Sequence, residues 1–156
     1  ELGAASADHL AAVSEAGIEA LAAAAEGGRP VVAVLLPVTT WFLRKDRPAP
    51  ARRLIEQGVP VALGTDFNPG TAPTPNLSLV MTLAVLELNL TPAEALAGVT
   101  VNAAHALGLG SRLGSLEPGR AADLVVWRVP AVDQLPYWVG ADLVRTVVKG
   151  GRVVAA

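Results

Sequence analysis

The chain is predicted to be an α/β protein, with strands and helices alternating over roughly the first two-thirds and a small β element closing the sequence. Three observations carry this. Short, unbroken apolar runs at Pro30–Pro37 and Val59–Thr65 lack alternation, as strands buried on both faces of a parallel sheet do. Alanine-rich or helix-period stretches stand on either side of them. After about Gly110 that helical patterning stops, and turn residues and short β-rich runs replace it.

Taken in order, Ser14 is an N-cap for an alanine-rich helix over Glu15–Glu26, which stops at Gly27-Gly28. The Pro30–Pro37 strand follows. A basic, proline-containing stretch from Arg44 to Arg53 leads into a short helix ending near Gln57-Gly58. Val59–Thr65 is the second strand and runs straight into Asp66. Phe67–Pro75 is dense in Pro, Gly, Asn and Thr, hence a loop. Leu77, Val80, Met81, Ala84, Val85 and Leu88 then form a stripe at helical spacing. Thr91-Pro92-Ala93-Glu94 starts another helix with a capping box and proline at its first position. Asn102–Leu109 is a further helix of small residues, closed by Gly110. In the tail, Ala122–Val129 and Leu143–Val148 are strands, and Gly150-Gly151 turns the chain into Arg152-Val153-Val154. Strand–helix alternation of this kind builds either a (β/α)8 barrel or an open doubly wound sheet.

Composition narrows the function classes. At 156 residues the chain holds one ordinary domain or pieces of two. An apolar fraction of 52% with 17% charged residues points to a buried core. Twelve Lys and Arg against fourteen Asp and Glu leave a net charge of −2, no footprint for nucleic acid or an anionic membrane. With 4% aromatics, base-stacking platforms are not expected either. The absence of cysteine excludes disulfides and thiolate metal sites and fits a cytoplasmic setting. No apolar run reaches the ~18 residues of a membrane-spanning helix. The chain opens at Glu1 without a methionine or a charged-then-apolar leader, so the expectation is a piece of a longer protein.

In parallel α/β folds chemistry collects where strands end. Asp66, at the end of a strand, can bind a metal or accept a proton from metal-bound water; it can equally close the strand in an Asx-turn. His9, just before the first helix, can be a metal ligand, an acid/base group or a carbonyl polariser, or a histidine satisfied by a backbone carbonyl. His105 lies inside a helix among small residues and reads as a surface or packing residue. Arg44, Lys45 and Arg47 can meet an acidic substrate or form a solvated loop. There is no Gly-x-Gly-x-x-Gly, no Walker pattern and no Gly-x-Ser-x-Gly elbow. Two histidines without cysteine cannot complete a three-ligand zinc site unless Asp66 joins both.

Several segments resemble one family. Gly64-Thr65-Asp66-Phe67-Asn68-Pro69-Gly70-Thr71 is similar to the loop after the last barrel strand of imidazolonepropionases. Ser6-Ala7-Asp8-His9-Leu10 resembles their segment after the sixth strand, and Leu35-Leu36-Pro37 with Thr39-Thr40 the end of the seventh. Leu90–Leu96, Thr100–Ala104, Gly114–Val125 and Val147–Arg152 are shared more widely among amidohydrolases. Two features depart from the family: Val38 stands where glycine is usual, and residues are added near Gly27–Arg29 and Arg44–Arg53.

The resemblance implies the C-terminal part of a (β/α)8 TIM-like metal-dependent hydrolase barrel, strands six to eight, over residues 1–110. It implies part of a small β-sandwich over residues 111–156. It assigns Asp66 to the metal, Asn68, Gly70 and Thr71 to the substrate, and His9 to catalysis near the scissile carbonyl. The implied metal is zinc or iron, held also by a His-x-His pair and a third histidine expected upstream of Glu1. The implied reaction is hydrolysis of 4-imidazolone-5-propanoate to N-formimidoyl-L-glutamate, a small-molecule substrate, in a full-length parent that can be a homodimer. Other amidohydrolases, such as cyclic amidases or nucleobase aminohydrolases, and a non-catalytic truncated chain are the competing readings.

Overall fold

The computed structural model describes residues 3–155; Glu1, Leu2 and Ala156, the outermost residues of the two expected units, lie outside them. Two sheets organise the chain. The first is parallel, in the order β1 (Ser6–Asp8), β2 (Val32–Leu35), β3 (Val61–Leu63). Asp8 is in register with Val34, and Leu35 with Leu63, so the strands end close to one another on one edge. Every residue of β3 and all but Val34 of β2 are buried, the two-sided burial that their unbroken apolar runs require.

Helices α1 (Glu15–Glu26), α2 (Pro37–Phe42), α3 (Ala51–Glu56), α4 (Leu77–Leu88), α5 (Pro92–Val99) and α6 (Val101–Ala106) connect and cover this sheet. Local chemistry accounts for their ends. The Ser14 hydroxyl accepts from the Gly17 N–H, and Asn76 Oδ1 from the Leu79 N–H. Thr91 and Glu94 form the full capping box of α5. The α5 helix lies so close to β3 that a Cβ on Gly98 would stand 2.9 Å from Leu63 Cγ, a separation only glycine permits. Asn102 on α6 donates to the Val61 carbonyl at 2.8 Å, satisfying an acceptor on the outer side of β3.

The second sheet is antiparallel, β4 (Leu124–Trp127), β5 (Val144–Lys149) and β6 (Arg152–Ala155) in that order. Asp123 pins its last turn, accepting from the Gly150 N–H at 2.7 Å and from Lys149 Nζ. The segment between β4 and β5 returns to the helices. Leu135 and Leu143 join the main core, and the buried Thr82 hydroxyl donates to the Pro136 carbonyl at 2.7 Å.

Four expectations are corrected. Ser6–Leu10 does not follow a strand: Ser6–Asp8 is itself one, too short and polar to show a period, and made by pairing with β2. A helix, α2, begins at Pro37 where a strand end was expected, since proline at N1 loses no helical hydrogen bond. The α6 helix stops at Ala106, three residues before the expected end, as Gly108 turns left-handed at φ 70°. On α4, Leu77 of the expected stripe is 45% exposed, while Thr82 and Leu83 are buried. The segment around Pro136 covers an extra face of that helix and shifts its buried side.

Candidate active site

The parallel sheet delivers three chain segments to its C-terminal edge. At the end of β1 the His9 N–H donates to the Val34 carbonyl at 2.9 Å, extending the ladder by one bond. His9 and Leu10 then both adopt left-handed backbone, φ 66° and 59°. Such conformations cost of order 1 kcal/mol each outside glycine and cluster where a side chain must be aimed. The His9 side chain is exposed. At the end of β2, α2 starts at once and carries Thr39 into the interior, where it is 9% exposed. At the end of β3, the Gly64 N–H donates to the Leu35 carbonyl at 3.2 Å, and Asp66 follows, half-buried and left-handed at φ 51°.

Because β2 separates β1 from β3, the segments carrying His9 and Asp66 leave the same edge of the sheet from strands that are two apart in its order. The Asp66 carboxylate is held from one side, Thr39 Oγ1 donating to Oδ2 at 2.7 Å. No such role for Thr39 is visible in the sequence, since the two residues are 27 apart and no local spacing connects them.

Asn68, Gly70 and Thr71 form a tight turn directly after Asp66. Asn68 Oδ1 accepts from the N–H groups of Gly70 and Thr71 at 2.9 and 2.8 Å. Its Nδ2 donates to the Asp66 carbonyl at 2.6 Å and to Thr71 Oγ1 at 3.0 Å. A side-chain amide has two donors and one oxygen with two lone pairs, so Asn68 is saturated within its own loop. Gly70 is exposed and Thr71 half-buried.

The other expected polar residues lie elsewhere. The His105 ring packs against Gly110. Arg44 and Lys45 join Pro37, Thr40, Trp41 and Glu87 around an open pocket of about 300 Å³ whose lining includes neither His9 nor Asp66. Glu87 opposes the positive charge there. Arg47 is exposed.

The donor set can be tested against a metal. Asp66 fits as a ligand through Oδ1, a hard oxygen outside the Thr39 hydrogen bond, with His9 on the same edge. Among the described residues no group of three or more His, Cys, Asp or Glu could hold a metal ion. Asp66 and His9 by themselves therefore do not amount to the three protein ligands of a usual catalytic metal site.

Comparison with known proteins shows the family. The sequence model of the amidohydrolase family matches residues 6–154. The imidazolonepropionase of Geobacillus kaustophilus is 54% identical over 154 residues, 99% of this chain and 35% of that protein. That of Bacillus velezensis is 49% identical over 156 residues, 100% of this chain and 36% of that protein. The chain thus spans about a third of the length of these curated relatives. Among solved structures, an adenosine deaminase from Xanthomonas campestris with bound zinc superposes with a TM-score of 0.83 and 27% identity, covering 95% of this chain and 36% of that one. The guanine deaminase of E. coli shares the fold with a TM-score of 0.77 at 24% identity, over 96% of this chain and 38% of that one. With nearly every described residue inside the family match, and the polar strand ends gathered on one sheet edge, the chain belongs to the amidohydrolase family.

Proposed function

We propose that this chain forms part of an imidazolonepropionase, which hydrolyses the cyclic amide C–N bond of 4-imidazolone-5-propanoate to N-formimidoyl-L-glutamate in histidine degradation. The observation that carries this is identity: 54% to an imidazolonepropionase across 99% of the chain, against 27% to the deaminase of closely similar shape. In this reading β1, β2 and β3 are the sixth, seventh and eighth strands of a (β/α)8 barrel within residues 1–110. Residues 111–156 belong to the small β-sandwich. The setting is cytoplasmic, and the parent enzyme can form a homodimer. No helix among the described residues is long and apolar enough to cross a membrane.

The cofactor in this proposal is zinc or iron, and when bound it supplies Lewis acidity and a water activated at neutral pH. Asp66 Oδ1 would hold it, and the same carboxylate would take the proton of the attacking water. His9, across the edge, donates toward the carbonyl oxygen as negative charge grows there. The water oxygen bonds to the ring carbonyl carbon, the C–N bond breaks, and the departing nitrogen takes up a proton. Asn68, Gly70 and Thr71 form the wall of the substrate space, with Asn68 acting through the loop it holds together.

A second reading, a nucleobase aminohydrolase, is favoured by the TM-score of 0.83 to the adenosine deaminase. The two separate in a chimera of the Geobacillus kaustophilus enzyme in which the matching third is replaced by this chain. The imidazolonepropionase reading expects the chimera to open 4-imidazolone-5-propanoate and leave adenosine and guanine untouched. Replacing His9 by Ala should then lower turnover far more than metal content. The 156-residue chain by itself should show no turnover. Deamination without ring opening would replace the reading, and metal-dependent turnover by the chain alone would overturn its reliance on outside ligands.

A further inference from the structure

Two threonines elsewhere in these helices give their hydroxyls to main-chain carbonyls. The single Thr82 hydroxyl proton lies between the Pro136 carbonyl at 2.7 Å and the Ser78 carbonyl, four residues back, at 3.0 Å, and Thr100 Oγ1 donates to the Leu96 carbonyl, also four residues back, at 2.7 Å. Thr39 does not. Leu35, four residues before it, belongs to β2 rather than to the helix, and its carbonyl accepts from the Gly64 N–H across the sheet. The Thr39 hydroxyl instead reaches Asp66 Oδ2, at a distance short enough for a hydrogen bond strengthened by the carboxylate charge.

We infer that Thr39 is a positioning residue for Asp66: by holding Oδ2 it turns Oδ1 outward as the oxygen that meets the metal. The inference rests on the proposed reading of Asp66 as a metal ligand and adds a residue to it. Three features make the hold rigid. Pro37 at the first position of α2 sets the helix start directly on the end of β2. Val38, 1% exposed, anchors α2 in the core, so the hydroxyl has a fixed origin. Asn68 Nδ2 grips the Asp66 carbonyl at 2.6 Å, so the left-handed backbone at φ 51° is fixed as well. With main chain and one oxygen both held, rotating the carboxylate to present its other oxygen costs the Thr39 hydrogen bond. Hydrogen bonds of this kind to a ligand typically contribute a factor of about 10–100 in metal affinity.

The test uses the chimera described above and zinc as the probe, with Thr39→Val removing the hydroxyl at nearly constant shape and Thr39→Ser keeping it. Zinc affinity is measured by chelator competition, and thermal melting of the metal-free proteins is followed beside it. Thr39→Val should lose roughly 10–100-fold in zinc affinity while the metal-free melting temperature stays within about 3 °C. Thr39→Ser should bind zinc within about threefold of the parent. Unchanged zinc affinity in Thr39→Val would overturn the inference alone. So would a Thr39→Ser as weak as Thr39→Val, or a metal-free Thr39→Val that melts far lower, since either makes Thr39 a packing residue. A chimera with Thr39 intact that takes up no zinc would overturn the inference together with the reading beneath it.

Discussion

Asn68 and Asp66 exchange the roles that turn chemistry suggests. An aspartate closing a strand is an ordinary candidate for an Asx-turn, yet the Asp66 side chain points to Thr39 and leaves its own turn alone. The turn is made by Asn68, which accepts from Gly70 and Thr71 and donates back to the Asp66 carbonyl. Asn68→Ala should therefore release the loop, lowering stability by about 1–3 kcal/mol and speeding amide exchange at Gly70 and Thr71. Asn68→Asp keeps both acceptor contacts and loses the donor, so protection at Gly70 and Thr71 should persist. Unchanged exchange in the alanine variant would mean the Asn68–Ala72 bridge suffices to hold the turn. The loop itself is legible from its Pro, Gly and Asn content. Which residue organises it is not, because Asp and Asn offer the same acceptor geometry and only the position of Thr39 separates them.

Between elements, the clearest determinant is a doubled use of Glu94. Within α5 it completes the capping box, Oε2 accepting from the Thr91 N–H at 2.8 Å. From α3, Arg52 meets both its oxygens, at 2.7 and 3.0 Å. The Arg52 hydrogen bond, followed by the contacts from Thr91 and against the opposing effect of desolvation, pulls the Glu94 carboxyl down to about 2. A depressed carboxyl contributes stability that is present above its unfolded value of 4.5 and is lost as pH falls toward 2. The pair is about a third exposed, which screens it to roughly 1 kcal/mol. Urea melts of the parent chain and Glu94→Gln should differ by that amount at about pH 6 and converge as the solution approaches pH 2. A difference that persists at pH 2 would show that the amide disturbs packing rather than charge. The capping box is readable from spacing, whereas Arg52 stands 42 residues away and is brought in by the fold.

Across the whole molecule the two sheets differ in what covers them. The β2 and β3 strands are buried on both faces. In the antiparallel sheet, Val125 and Val126 are neighbours that point to opposite faces, and they are 40% and 41% exposed, so water reaches both. Val153 and Val154 on β6 are more exposed still, at 64% and 62%. Local stability follows such burial. Hydrogen exchange of the chain should be slowest in β2 and β3 and markedly faster in β4–β6. Equal protection in both sheets would imply a covering layer on the antiparallel one, such as a second copy of the chain.

The amino-acid order by itself determined the strand–helix alternation, the helix caps at Ser14 and Thr91, the hairpin at Gly150-Gly151 and the placing of Asp66 at a strand end. All of these rest on contacts within a few residues, where propensity, capping and turn geometry act directly. It also carried the family resemblance, because the Asp66–Thr71 loop is continuous in sequence. The tertiary structure decided the rest. It made Ser6–Asp8 a strand by pairing, gave Thr39 and Arg52 their carboxylate partners, and brought the segments carrying His9 and Asp66 to one edge of the parallel sheet. Those outcomes depend on which distant segments pack together, and no local period encodes that.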